Sequence, residues 1–162
     1  MRLCGIAGFM LLMTMIPPVA VPQGLPMQKV LTMEVAQEIS QVAIAACRAN
    51  GYKVTVMVVD GANIMKSLLR DDGAPVATVE TARLKANSVM VYGRPSGPPP
   101  NLPTGAPVPP PTLPGTIYGM GGVPIKVDDQ IIGAIGVSGA PGGDKDVACA
   151  NAGLANVASK LK

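Results

Sequence analysis

Ten of the chain's 17 prolines lie between residues 95 and 115. Each proline removes an amide donor and fixes φ, so no packed helix or central strand crosses such a segment. Regular structure must therefore be built on either side of it. The segment favours extended, polyproline-like backbone, and loops of this length are functional arms, lids or insertions. Two readings stand for residues 95–115: an arm that binds a partner, or an insert without a role.

On the N-terminal side, Thr32 is a good helix cap, and Glu34 and Glu38 suit the positive end of a helix. Val35, Ile39, Val42 and Ala46 recur at helical spacing, and Asn50-Gly51 supplies a left-handed stop. The pattern predicts a helix over about 33–49. Lys53–Val59 is dense in β-branched residues, Asp60–Asn63 is a turn by composition, and Ile64–Leu69 returns as a second strand. A second helix follows over about 76–91, ended by Gly93, with Arg83 and Lys85 expected away from its apolar positions. Beyond the prolines, Val123–Val127 and Gln130–Val137 flank an Asp128-Asp129 turn. A Gly-rich loop, Ser138–Gly143, precedes a last helix over about 145–160, with Asp144 as its expected cap. The order is helix, hairpin, helix, loop, hairpin, helix. Short turns make each pair of strands antiparallel, and helices on a sheet bury its apolar faces. The expected fold is one α/β (α+β) domain: an antiparallel sheet of four or five strands flanked by helices, the first and last packed together on one side.

A chain of 162 residues with 48% hydrophobic content has material for one core. Its aromatic residues are Phe9, Tyr52, Tyr92 and Tyr118, so the core is aliphatic. Scattered basic residues, a net charge of +3 and the lack of aromatic stacking platforms argue against nucleic acid as a partner. There is no histidine, which removes the usual general base, zinc ligand and haem axial ligand. A Ser/His or Cys/His mechanism is thereby excluded. No spacing of carboxylates singles out a catalytic pair, and no catalytic residue is assigned. Whether the chain is an enzyme is left open, with a binding protein the favoured reading.

Arg2, the apolar run Leu3–Ile16, and then Pro17, Pro18, Val19 and Ala20 have the layout of a secretion signal over residues 1–20. An uncleaved anchor or a misassigned start is the alternative. The run is short for a membrane span, so no stable span is expected after processing. The expected location is periplasmic or secreted. Residues 21–30 read as a flexible lead-in, and the domain as residues 31–162. Cys47 and Cys149 remain after processing. They either pair, as an oxidising compartment permits, or serve as small semi-buried apolar side chains; packing of the two outer helices would bring them near each other.

At this point the chain resembles a known family. Val58-Val59-Asp60-Gly61 with Leu69-Arg70-Asp71-Asp72-Gly73-Ala74-Pro75 is similar to its first hairpin and exit. Thr81-Ala82-Arg83-Leu84-Lys85-Ala86, followed by Gly93-Arg94-Pro95, is similar to its central helix. Gly121-Gly122-Val123-Pro124-Ile125 and Ile132-Gly133-Ala134-Ile135-Gly136-Val137-Ser138-Gly139 resemble its second hairpin, and Asp146–Gly153 its last helix. The family is the GlcG/HbpS-like group, which includes the C-terminal domain of PduO-type proteins. The resemblance covers about residues 30–160 apart from the proline segment. It implies a profilin-like sandwich, homo-oligomers, and in several members haem binding and export. It implies an exported haem- or tetrapyrrole-binding protein. The alternatives are an enzyme or accessory protein acting on a small organic acid, as in glycolate-type metabolism, and an oligomeric assembly module. The chain departs from the pattern in its lack of histidine and in its proline insert.

Three places stand out as candidate sites. Tyr118, Gly119, Met120, Gly121 and Gly122 combine glycines that admit a flat ligand with a phenol and a thioether, both possible iron donors; a flexible entry to a strand explains them equally. Arg83, Lys85 and Arg94 form a basic set suited to haem propionates or a small carboxylate, or else a solvated helix face. The Ser138–Gly143 loop before a helix offers free amides to an anion, or is an ordinary turn.

Overall fold

The computed structural model describes Gly24, residues 27–98, Pro103 and residues 113–162. The secretion-signal reading of residues 1–20, most of the lead-in and the centre of the proline segment lie outside the described residues.

The elements run α1 (Met33–Ala49), β1 (Thr55–Asp60), β2 (Met65–Arg70), α2 (Ala77–Tyr92), β3 (Gly122–Val127), β4 (Gln130–Ser138) and α3 (Gly143–Asn156), followed by a 3-10 turn at Ala158–Lys160. The Thr32 hydroxyl accepts the Val35 amide at the start of α1. Gly93 ends α2 in the left-handed region at φ 65°. Asp144 does not cap α3. Gly142 holds that position and Asp144 falls in the first turn, where its charge still suits the helix dipole. The helix also stops short of residue 160, because Val157 leaves α geometry and turns into the 3-10 segment.

Two hairpins form one antiparallel sheet in the order β2-β1-β4-β3. The central pairing joins β1 to β4, from Thr55 opposite Ser138 to Asp60 opposite Gly133. In the first turn, the Asp60 carboxylate accepts the amides of Ala62 and Ile64. Helices α1 and α3 pack together on one side of the sheet and α2 covers the other.

Period-two alternation sends each strand's residues to two different cores. Val54, Val56, Val58, Ile125, Val127, Ile135 and Val137 meet Ala36, Ile39 and Ala43 of α1 and Ala150 of α3 in an aliphatic core. Met57, Val59 and Ala134 face Ala82, Ala86 and Val89 of α2. Cys47 of α1 and Cys149 of α3 are joined by a disulfide, with their Cα atoms 5.5 Å apart. Of the two readings left open for these cysteines, the structure has the pair. Asp71, buried at the exit of β2, is held at 2.8 Å by Arg48 of α1. Among the described residues, no helix is long and apolar enough to cross a membrane.

Candidate functional site

The segment entering β3 is tied down by two serines. Ser96, buried just after α2, accepts the Gly122 amide at 2.8 Å and donates to the Gly119 carbonyl at 2.6 Å. Its backbone completes the clamp, with Gly119 donating to Ser96 and Ser96 to Gly122. Ser88 of α2 accepts the Ile117 amide at 2.8 Å. The first residues of the proline segment are therefore packed, and Ser96 and Gly97 are buried. Sequence reasoning missed Ser96 because proline density dominated its surroundings. A lone serine carries no periodic signal.

The clamp sets the candidate residues at different depths. Tyr118 is half-buried and Met120 is 36% exposed. A Cβ built on Gly119 would meet nothing within 4 Å, so space is open above that backbone. Gly121 and Gly122 are different: they are buried, and a Cβ on Gly122 would lie 2.5 Å from the Lys85 carbonyl. These two glycines let β3 approach α2, and that close packing leaves no room for a ligand beside them.

The basic set does not assemble as expected. Lys85 is 6% exposed and points into the molecule, away from the solvated side. Thr78, Ala82, Lys85 and Val89 lie on the buried face of α2, and their spacing was the available signal. The Lys85 ammonium donates to Asp146 Oδ2 at 2.8 Å and to the Val137 carbonyl at 2.9 Å. Asp146 Oδ1 accepts the Ala140 amide. The anion sought at the start of α3 is thus the chain's own Asp146 carboxylate. Burial pushes the Asp146 carboxyl above its ordinary range, outweighing the hydrogen bond and charge of Lys85. Arg83 is exposed and paired with Glu80 at 2.7 Å; that hydrogen bond lowers the Glu80 carboxyl and raises the Arg83 guanidinium.

Arg94 is the one of the three set against the tyrosine rings. Its guanidinium lies 5.5 Å from the Tyr92 ring centre and 6.0 Å from that of Tyr118, a cation–π arrangement on two rings. Tyr92 and Thr116 share a hydroxyl contact at 3.2 Å. The result is a surface cluster of two phenol rings and one guanidinium beside an open glycine backbone, with Met120 next to Gly97 and Gly143. Its chemistry is that of a flat, acidic, partly apolar guest. Phenol oxygen and thioether sulfur are both donors that iron accepts. Among the described residues, no group of three or more His, Cys, Asp or Glu side chains could hold a metal ion.

Comparison with known proteins decides the family. Residues 31–155 match the family model described as haem degrading protein, HbpS-like. The chain belongs to the HbpS-like family. A double mutant of HbpS from Streptomyces reticuli is 32% identical, with a TM-score of 0.72, over 89% of this chain and 99% of that one. A second HbpS structure gives the same identity and TM-score over 85% and 99% of the two chains. The PduOC:Heme complex, at 18% identity and TM-score 0.65 over 78% and 94%, shares the HbpS-like fold. No curated protein sequence matches the chain.

Proposed function

We propose that this chain is an exported haem-binding protein that takes its ligand at the Tyr118–Met120 surface beside Arg94. The observation that carries this reading is the Arg94 guanidinium set against both tyrosine rings next to the open backbone of Gly119. Family membership supports haem as the ligand class, since the family's description names haem. The donor set fits a haem despite the absence of imidazole. Tyr118 Oη and Met120 Sδ are the candidate iron donors, and Arg94 is the partner for a propionate. When bound, haem supplies a redox-active iron on a flat, largely apolar ring.

The chain's own residues would do the rest. The Ser96 and Ser88 hydrogen bonds hold the Tyr118 segment before any ligand arrives, which lowers the ordering cost of binding. Gly119 admits the ring edge to the backbone. Lys85 and Asp146 position β4 and α3 below the surface and stay out of contact with ligand. The small-acid alternative loses its footing, because Lys85 is internal and Arg83 is neutralised by Glu80.

Export is supported by the layout of residues 1–20 and by the Cys47–Cys149 pair, since disulfides persist in oxidising compartments. Self-association is supported by the edge strand β2, where Met65 and Leu68 are exposed.

Titration of the processed chain with ferric haem tests the reading. A shifted Soret band that Tyr118→Phe abolishes and Arg94→Ala weakens is expected. An unchanged Soret band at micromolar haem would end it. Residues 1–30 fused to a reporter that folds only under oxidising conditions test export separately.

A further inference from the structure

A second place on the molecule carries chemistry that haem binding does not use. An open groove of about 320 Å³ runs between α1 and α3. Small residues, Ala46, Ala148 and Ala152, make its floor, and Tyr52 makes one wall. The groove reaches Cys149 but is not lined by Cys47. Both halves of the disulfide are buried, Cys47 and Cys149 alike, so the groove wall is where they differ. Among the described residues, Lys145 is the one charged side chain lining the groove, its ammonium 5.6 Å from the Tyr52 ring centre.

We propose that this groove is a thiol–disulfide exchange site, in which a small anionic thiol attacks Cys149 and releases Cys47. A thiolate reacts with the disulfide sulfur it can reach, so access selects Cys149. The step balances without a further oxidant. The incoming thiolate forms a new S–S bond to Cys149 Sγ, the Cys47–Cys149 bond breaks, and Cys47 leaves as a thiolate that takes a proton from water. Lys145 draws in the negative thiolate and its carboxylates. The small floor leaves room for a short peptide. The product carries the thiol on α3 and a free thiol on α1, so the covalent tie between the two helices is lost while their apolar contacts remain.

The experiment uses the oxidised full chain and reduced glutathione as the probe. Brief incubation under native conditions is followed by acid quench, alkylation and peptide mapping. The expected product has glutathione on Cys149 and an alkylated Cys47. An adduct on Cys47, an equal mixture, or exchange no faster than global unfolding would overturn the proposal. Lys145→Ala is expected to slow the glutathione reaction about fivefold, as for one nearby surface charge, and to slow 2-mercaptoethanol less, because its thiolate carries one negative charge against a net two on the glutathione thiolate. Equal slowing of both reagents also overturns it. Ala148→Met, at an exposed position of α3, narrows the groove and is expected to slow both reagents with an unchanged melting temperature.

Discussion

The two faces of the sheet are built on opposite plans. The face under α1 and α3 is thick: branched aliphatic side chains fill it, and a disulfide ties its two helices together. The face under α2 is thin. Ala134 and Gly136 of β4 let the helix nearly touch the strand, and a Cβ on Gly136 would lie 2.1 Å from the Ala82 carbonyl. Side-chain volume holds the first layer. Backbone proximity holds the second, and the buried Lys85–Asp146 pair ties its helix α2 to α3 of the first. The difference teaches that the candidate site sits on the face that tolerates least change in size. Ser96 and Ser88 pin the Tyr118 segment to α2, so any displacement of that helix moves the site.

The sharpest way to break this contrast is Gly136→Val. The added carbons meet backbone that cannot yield, and a loss of about 5 kcal/mol in denaturant unfolding is expected. Weakened haem titration should accompany it. The double substitution Cys47→Ala with Cys149→Ala opens a loop of 102 residues on the thick face and should cost about 4 kcal/mol. Haem titration should weaken less than with Gly136→Val, because Ser88 and Ser96 still hold the Tyr118 segment. Lys85→Met leaves Asp146 without its partner and should cost about 3 kcal/mol, while Lys85→Met with Asp146→Leu should recover much of that loss. Ile135→Val removes one methylene from the thick core and should cost about 1 kcal/mol. If Ile135→Val proved costlier than Gly136→Val, the distinction between the layers would fail.

Two buried aspartates titrate with opposite sign. Asp71, on the α1 side, is held below its ordinary 3.8 by the Arg48 hydrogen bond first, with Arg48 and Lys53 charge adding to it. Its contribution is present above 3.8 and is lost as pH falls through the lower folded value. Asp146 of α3, paired with Lys85 of α2, is raised by burial, so its contribution is present below 3.8 and is lost as pH rises through the higher folded value. Thermal melts across that range should therefore show Asp146→Asn flattening the slope above 3.8 and Arg48→Met flattening the slope below it.

Most of the scaffold was legible from local chemistry. The α1 bounds follow from Thr32, the spacing of Val35, Ile39 and Val42, and Gly51, each of which acts within a few residues of itself. Both hairpins follow in the same way from β-branched runs around Asp60 and around Asp128-Asp129. The site was legible only in part. Tyr118 is half-buried and Met120 exposed, whereas Gly121 and Gly122 are closely packed, a difference in depth that their adjacent positions in the chain do not reveal.

Periodicity and turn residues, which act over short range, set the order of elements, their type and most of their ends, the last helix excepted. Only the tertiary structure decided that Lys85 meets Asp146, that Cys47 meets Cys149, that Ser96 holds Gly119 and that Arg94 sits against Tyr118. Each of these contacts joins residues far apart in the chain. Which distant groups meet depends on how closely two layers approach, and that distance is set by the summed volume of a core rather than by any residue's neighbours in sequence.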